Sequence, residues 1–166
     1  MTAADDETTG FRRGPRLGVD VGQARVGVAK SDPDGLLATP VETVPRREGD
    51  PVARVAALAV EHGAVEIVVG LPVNLRGEDT LSTTDARAFA AAVAEASALP
   101  VRLVDERLST VTAHAAMRSS GRSQKSSRRI IDQVAAVVLL QQALDVEKRT
   151  GRAPGETVTT SRETEN

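Results

Sequence analysis

Alternating apolar and polar positions predict two paired strands near the start of the chain and a third strand after them. The segments "RLGVDV" and "RVGVAKS" indicate strands at 16–21 and 25–31, joined by a short turn. A third strand is predicted over 36–44. Pro40 places that strand at a sheet edge, because proline has no N–H to donate to a neighbouring strand.

Helical periodicity dominates the rest of the chain and is interrupted by two apolar strands. Asp50 as N-cap, Pro51 at the first helical position and Gly63 beyond the end delimit a helix. A second helix is predicted from Thr83 to Ala98. The short apolar runs "AVEIVVGLP" and "LPVRLVDE" are typical of buried strands. Two more helices are predicted in "STVTAHAAMRSSG" and "RRIIDQVAAVVLLQQALDVEKR".

The predicted order βββαβαβαα indicates an α/β fold with a mixed five-stranded sheet flanked by helices. A three-stranded antiparallel meander would continue into two parallel strands. The length of 166 residues suits one domain, placed at 15–149. Residues 1–14 and 150–166 lack apolar periodicity and are rich in polar and charged residues, so we expect disordered tails there.

Composition excludes several kinds of chemistry. The chain has no cysteine and two histidines, so a cysteine nucleophile is excluded, a zinc site is not expected, and a metal ion would need oxygen ligands. No apolar run reaches the ~18 residues of a membrane span, and the first residues do not resemble a signal peptide. We therefore expect a cytoplasmic protein without a membrane partner.

The overall charge excludes a globally basic nucleic-acid binder, since 21 basic residues face 23 acidic ones. Only two aromatic residues, Phe11 and Phe89, are available to stack on bases. Any nucleic acid would therefore be recognised through its backbone and shape. One local exception is "RSSGRSQKSSRR", over 118–129, with five positive charges and no acid. It is either a phosphate-binding loop or a solvated linker.

Asp20 is an acidic residue inside an otherwise apolar strand. Alternation places it between Gly18 and Gly22, on the face opposite the apolar side chains of the same strand. Small residues of the next strand would leave space above Asp20 for a metal ion and a phosphate; these are Gly27, Ala29 and Ser31. The alternative is an ordinary solvated sheet face with glycines that serve the turn.

Three other acids adjoin apolar segments. Asp105 and Glu106 end a predicted strand and point to opposite faces, so only one of them can join a given site. Asp132 lies early in the last helix, on the face continued by Ala135 and Leu139. A capping or helix-dipole role is the alternative for Asp132.

Converging carboxylates repel one another unless a cation neutralises them. With oxygen ligands the expected cation is Mg²⁺ or Mn²⁺. Such a site supports phosphodiester hydrolysis, in which one ion activates water and a second, about 3.5–4 Å away, stabilises the leaving oxygen.

Four blocks in order, "LGVDVGQARVGVAKSD", "IVVGLPVNLRG", "VDERLSTVTA" and "IDQVAAVVLLQ", resemble the YqgF/RuvX family of RNase H-like proteins. The resemblance covers about 16–146 and implies an RNase H-like fold. It implies that the catalytic and metal-binding acids are Asp20, Glu106 and Asp132, with Asp105 the less expected member of its pair. It also implies candidate contacts to the substrate backbone, which are Arg25, Asn74, Arg107, Lys125 and Arg129.

The resemblance implies a nuclease with a two-metal Mg²⁺ or Mn²⁺ site. Its substrate would be structured precursor rRNA, cut at the 5′ end of the small-subunit rRNA during ribosome biogenesis. The nearest alternative is branched DNA, cut by a Holliday junction resolvase. The protein would be a monomer or a homodimer, and symmetrical junction cutting would require the dimer.

Two other classes of function compete with the nuclease. A non-catalytic RNA-binding assembly factor could have the same fold without the chemistry. The segment "DVGQAR" also resembles the first phosphate loop of sugar kinases and actin. That architecture needs two such domains, whereas this chain has room for one.

Overall fold

A computed structural model describes residues 10–105 and 124–158, with the side chains of the second range described from 132 onward. The short helix predicted within 109–121 lies outside the described residues. Six strands and three helices are present in the described residues. The strands are β1 (Arg16–Val21), β2 (Arg25–Ser31), β3 (Ala38–Pro45), β4 (Glu66–Leu71), β5 (Val101–Asp105) and β6 (Glu156–Thr157). The helices are α1 (Pro51–Glu61), α2 (Leu81–Ser97) and α3 (Gln124–Thr150).

The strands form one mixed sheet in the order β3-β2-β1-β4-β5-β6. The antiparallel meander β1–β2–β3 and the parallel pairs β1–β4 and β4–β5 are confirmed. β3 lies at the sheet edge, as Pro40 predicts, and the β2–β3 register shifts beside that proline. Within the described residues, no helix is long and apolar enough to cross a bilayer.

The predicted number of five strands was wrong, because β6 adds a sixth. It pairs antiparallel with β5 through Arg102↔Thr157 and Leu103↔Glu156, inside the segment for which a disordered tail was expected. A two-residue polar strand has no periodicity that a sequence could reveal. Its pairing depends on the open edge of β5, which exists only in the folded sheet.

Helices cover both faces of the sheet. One core cluster joins β1, β2 and β4 to α1 and α2, and a second joins the opposite face of the sheet to α3. The apolar faces of α1 and α2 pack against the sheet, although Val52 of α1 is only partly buried. Asp50 caps α1, accepting a hydrogen bond from Ala53 N at 3.1 Å. Helix α2 begins at Leu81, two residues before the predicted start, because Thr80 and Thr83 form a capping box.

A buried ionic cluster closes the end of the sheet where β1 and β4 begin. Arg12 Nη2 lies 2.7 Å from Glu147 Oε1 and 3.1 Å from Glu66 Oε1. Arg16, whose side chain is 1% exposed, binds Glu147 Oε2 through Nη2 at 3.0 Å. The cluster joins the residues before β1 to the last turns of α3. Burial lowers the pKa of Arg16, although Glu147 opposes the shift.

Candidate active site

Asp20 lies on β1 directly opposite Gly27 of β2. Its face of the sheet is the one that α3 covers, because a Cβ added to Gly18, two residues earlier, would lie 2.8 Å from Leu140 Cβ of that helix. The apolar residues Leu17 and Val19 point the other way, into the first core. The predicted alternation therefore holds, and the Asp20 carboxylate belongs to the α3 side.

Helix α3 packs directly against the sheet at Gly27. A Cβ added to Gly27 would lie 1.9 Å from the backbone carbonyl oxygen of Asp132, so a larger residue cannot occupy this position without moving the helix. Since Asp20 is the cross-strand partner of Gly27 on the same face, Asp20 and Asp132 occupy neighbouring positions. The hairpin register and the approach of α3 thus place Asp20 and the backbone of Asp132 beside the same glycine.

The small residues of β2 are themselves covered. The space above Gly27 is filled by the α3 backbone, Ala29 packs in the α3 core cluster, and Ser31 is buried. Ser31 Oγ accepts a hydrogen bond from Arg16 N at 3.0 Å. The positions above these three residues are therefore occupied, and open space above Asp20 itself stays a prediction. These residues allow close packing of α3.

Asp132 is held by the start of β2. Arg25 Nε lies 2.8 Å from Asp132 Oδ2, and the two side chains are 32% and 17% exposed. Arg25 is two residues from Gly27 and shares its face. Because α3 begins at Gln124, Asp132 lies in the helix interior, so the capping alternative does not apply.

A second polar contact fixes the same turn of α3 against β3. Gln133 Nε2 donates to Thr43 Oγ1 at 2.8 Å, and Thr43 pairs with Gly27 across the β2–β3 ladder. Asp20, Gly27 and Thr43 thus form a row across three strands beneath α3. Sequence reasoning missed Thr43 and Gln133, since neither breaks the local pattern of its strand or helix.

The turn after Asp20 is also connected, through Arg46, to helix α2 on the other face of the sheet. Arg46 Nη1 donates to Gly22 O at 2.9 Å, and the guanidinium binds the two carboxylate oxygens of Asp85 on α2 at 2.6 and 2.9 Å. This hydrogen-bonded ion pair lowers the pKa of Asp85 and raises that of Arg46. No signal in the sequence pointed to Arg46, because its partners come from distant segments.

Asp105 ends β5 on the face of Leu103, which belongs to the first core cluster. Val104, one residue earlier, packs against the α3 cluster. Alternation therefore turns Asp105 away from the face that carries Asp20. Glu106 and Arg107 lie outside the described residues. Lys125 and Arg129 fall in α3, but their side chains also lie outside them.

Asn74 shapes the loop after β4. Its Oδ1 accepts hydrogen bonds from Arg76 N and Glu78 N, both at 2.9 Å, and its Nδ2 donates to Glu78 Oε1 at 3.2 Å. The loop follows the same end of the parallel strands as Asp20. The described contacts of the Asn74 carboxamide therefore lie within its own loop.

The donor set fits a hard divalent cation and does not fit zinc. Asp20 and Asp132 offer carboxylate oxygens, which are the ligands that Mg²⁺ and Mn²⁺ prefer. Across residues 10–105 and 132–158, no three His, Cys, Asp or Glu side chains form a group able to hold a metal ion. A third ligand would have to come from elsewhere in the chain or from substrate.

The mixed sheet in this strand order, with helices on both faces, is an RNase H-like fold. The fold resembles that of Thermus thermophilus RuvC in complex with a Holliday junction substrate, with a TM-score of 0.55 and 17% sequence identity over 86% of this chain and 99% of that one. The family model of RuvX, described as a Holliday junction resolvase, matches residues 14–146. The chain belongs to the RuvX family.

Close relatives span nearly the whole chain, and each is named "Putative pre-16S rRNA nuclease". One from Leifsonia xyli is 56% identical, covering 89% of this chain and 96% of its own. One from Clavibacter michiganensis is 54% identical, with 92% and 96% covered. One from Streptomyces avermitilis is 53% identical, with 90% and 97% covered. These relatives and the family place the chain among nucleases, which are hydrolases of phosphodiester bonds.

Proposed function

We propose that this protein is a metal-dependent nuclease that processes the 5′ end of precursor 16S rRNA. The proposal is supported by the position of Asp20, on β1, and Asp132, on α3, beside the same glycine, Gly27, on one face of the sheet. Two carboxylates on one face, one of them paired with an arginine, suit phosphodiester chemistry better than a passive binding surface.

Asp20 and Asp132 would hold Mg²⁺ or Mn²⁺ together with Glu106. When bound, two such ions would activate a water molecule and stabilise the leaving oxygen. The protein's part is to keep the two carboxylates in place. Gly27 sets how closely α3 approaches the sheet, and Arg46 fixes the turn that follows Asp20.

The substrate is proposed from the relatives, whose shared name refers to pre-16S rRNA. Contacts to its phosphate backbone would come from Arg25, Arg107, Lys125 and Arg129, with Asn74 shaping the loop after β4, at the same end of the strands as Asp20. Branched DNA is the rival substrate, because the family model is described as a Holliday junction resolvase. A resolvase would act as a symmetrical dimer, whereas a processing nuclease can act as a monomer.

The test is cleavage of two end-labelled substrates in parallel, a precursor 16S rRNA fragment and a four-way DNA junction, each with Mg²⁺, Mn²⁺ or EDTA. The wild type should cut the RNA only with metal. Asp20→Asn should lose more than about 100-fold in rate, since loss of a direct ligand should exceed the effect of losing its supporting partners. Asp145→Asn is the matched control, because Asp145 lies on α3 and hydrogen-bonds Gln141.

Each outcome of this experiment distinguishes between the candidate functions. Cutting of the junction alone would replace the RNA substrate with branched DNA. Full activity in Asp20→Asn would refute the carboxylate mechanism. If the wild type binds the RNA but cuts neither substrate, the non-catalytic assembly factor replaces the nuclease.

A further inference from the structure

The Arg25 guanidinium uses only one of its three nitrogens to hold Asp132. The ion pair runs from Nε to Oδ2 at 2.8 Å. Among the described residues, neither terminal nitrogen of Arg25 has a hydrogen-bond partner of its own. A guanidinium carries five N–H groups in a rigid planar fork, so four remain on the terminal nitrogens.

The same arginine lines a groove at the edge of the sheet. This groove has a volume of about 470 Å³ and is lined by Arg25, Val41, Glu42, Thr43, Pro45 and Gln133. Among the described residues that line it, Glu42 is the only acidic one, and Arg54 Nε and Nη2 bind its carboxylate at 2.9 and 2.7 Å. An anion entering the groove would therefore meet the terminal nitrogens of Arg25 without facing an unpaired carboxylate in the lining.

Arg25 also controls which oxygen of Asp132 remains available. With Oδ2 engaged by Nε, Oδ1 is the oxygen without a hydrogen-bond partner among the described residues. Hydrogen-bond partners of metal-binding carboxylates orient those ligands, and their loss typically costs about 10–100-fold in metal affinity or activity.

We propose that Arg25 is a positioning residue with two simultaneous roles, which we call its shared role. Its Nε orients Asp132, while its terminal nitrogens bind a substrate phosphate in the groove at the β3 edge of the sheet. This inference rests on the proposed nuclease function, because it assumes that Asp132 binds metal and that a nucleic-acid backbone lies beside it. One side chain would then couple the seating of the substrate to the orientation of a catalytic acid.

Two binding measurements test the proposal without relying on cleavage. The first is Mn²⁺ affinity by calorimetry in the absence of nucleic acid. The second is fluorescence anisotropy of a labelled precursor 16S rRNA fragment in EDTA, at several salt concentrations. Both use the full chain, and thermal melts confirm that each variant is folded.

Arg25→Gln should weaken Mn²⁺ binding about 10-fold. It should also lower the salt dependence of RNA binding by roughly 0.7–0.9 in log K per log salt, which corresponds to one lost phosphate contact. Arg25→Lys keeps the charge but lacks the fork, so it should retain the salt dependence and still weaken Mn²⁺ binding.

Arg13→Gln is the matched control. Arg13 makes the same kind of contact, from Nε to Asp34 Oδ1 at 3.0 Å, at the opposite end of the β1–β2 hairpin. It should change neither measurement. If Arg25→Gln alters only one of the two affinities, or neither, the shared role is refuted. Neither binding measurement depends on catalytic turnover. A wild type that cuts no substrate would therefore contradict the proposed nuclease function, while the two binding measurements would still test the role of Arg25.

Discussion

Gly27 and Asp132 are in backbone contact, so close that a Cβ at position 27 would lie 1.9 Å from the Asp132 carbonyl oxygen. Glycine is required at position 27 because the helix backbone approaches closely, and not because the chain turns there. Because the cross-strand partner of Gly27 is Asp20, this contact holds the Asp132 backbone beside the strand position opposite Asp20.

Gly27→Ala should therefore move α3 away from the sheet. Overpacking of this kind costs about 1–3 kcal/mol in the free energy of unfolding. A displacement of about 1 Å at the site can cost about 100-fold in rate. Denaturant unfolding and cleavage of the precursor rRNA fragment measure the two effects.

Gly49→Ala is the control for this substitution. Gly49 has φ +64°, but an added Cβ there would contact nothing within 4 Å. It should cost only the left-handed strain of about 1 kcal/mol and leave the cleavage rate unchanged. Equal effects of the two variants on cleavage would show that the close approach of α3 is unimportant.

The ionic cluster of half-buried Arg12 with buried Arg16 and Glu147 should make stability depend on pH in the acid range. Burial raises the pKa of Glu147, but hydrogen bonds from Arg12 and the charge of Arg16 outweigh it and lower the pKa below its ordinary 4.5. This stabilisation is complete above pH 4.5, where the unfolded carboxyl is also ionised. It is lost as the pH falls through the lowered folded value, because the unfolded state then binds more protons.

Glu147→Gln should cost about 3 kcal/mol at pH 7, because it leaves Arg16 buried with a reduced set of partners. It should also reduce the fall in the free energy of unfolding at acid pH, which is the acid limb of the stability curve. Asp34→Asn, which breaks an exposed pair with Arg13, should cost less than about 1 kcal/mol and leave that limb unchanged. Urea unfolding between pH 3 and pH 7 measures both, and an unaltered acid limb in Glu147→Gln would contradict the assignment.

Removal of divalent metal should stop cleavage without unfolding the protein. EDTA should reduce cleavage to background, and an excess of Mg²⁺ or Mn²⁺ should restore it. Carboxylate ligands must lose their protons to bind metal. As the pH falls, the Mn²⁺ concentration that gives half-maximal rate should therefore rise, by up to about 10-fold per pH unit for each proton displaced. A cleavage rate that is unaffected by both chelator and pH would rule out metal-dependent chemistry.

Arg46→Gln should loosen the turn that follows Asp20. It removes the hydrogen bond to Gly22 O and the two-point contact with Asp85. We expect a loss of about 1 kcal/mol in stability and about 10-fold in cleavage rate, since the site loses a positioning contact. Arg13→Gln, which breaks an ion pair at the other end of the hairpin, should leave cleavage unchanged, and an equal loss in that variant would contradict the bracing role.

Much of the architecture follows from local pattern. Alternation around Asp20 predicted its face correctly, Pro40 predicted the sheet edge, and the Asp50 and Pro51 signals predicted the start of α1. These features depend on residues near one another in sequence, where backbone geometry and side-chain period suffice. The family was also recognisable, because four motifs appear in order along the chain.

Other features depend on contacts between distant segments. The sequence alone determined an apolar hairpin with a carboxylate on its second face, an acid within the last helix and an RNase H-like order of elements. Only the tertiary structure decided that Gly27 admits the α3 backbone, that Arg25 holds Asp132, and that β6 completes the sheet. Close approach, ion pairing and edge pairing require the folded partner to be present, so no local pattern can specify them.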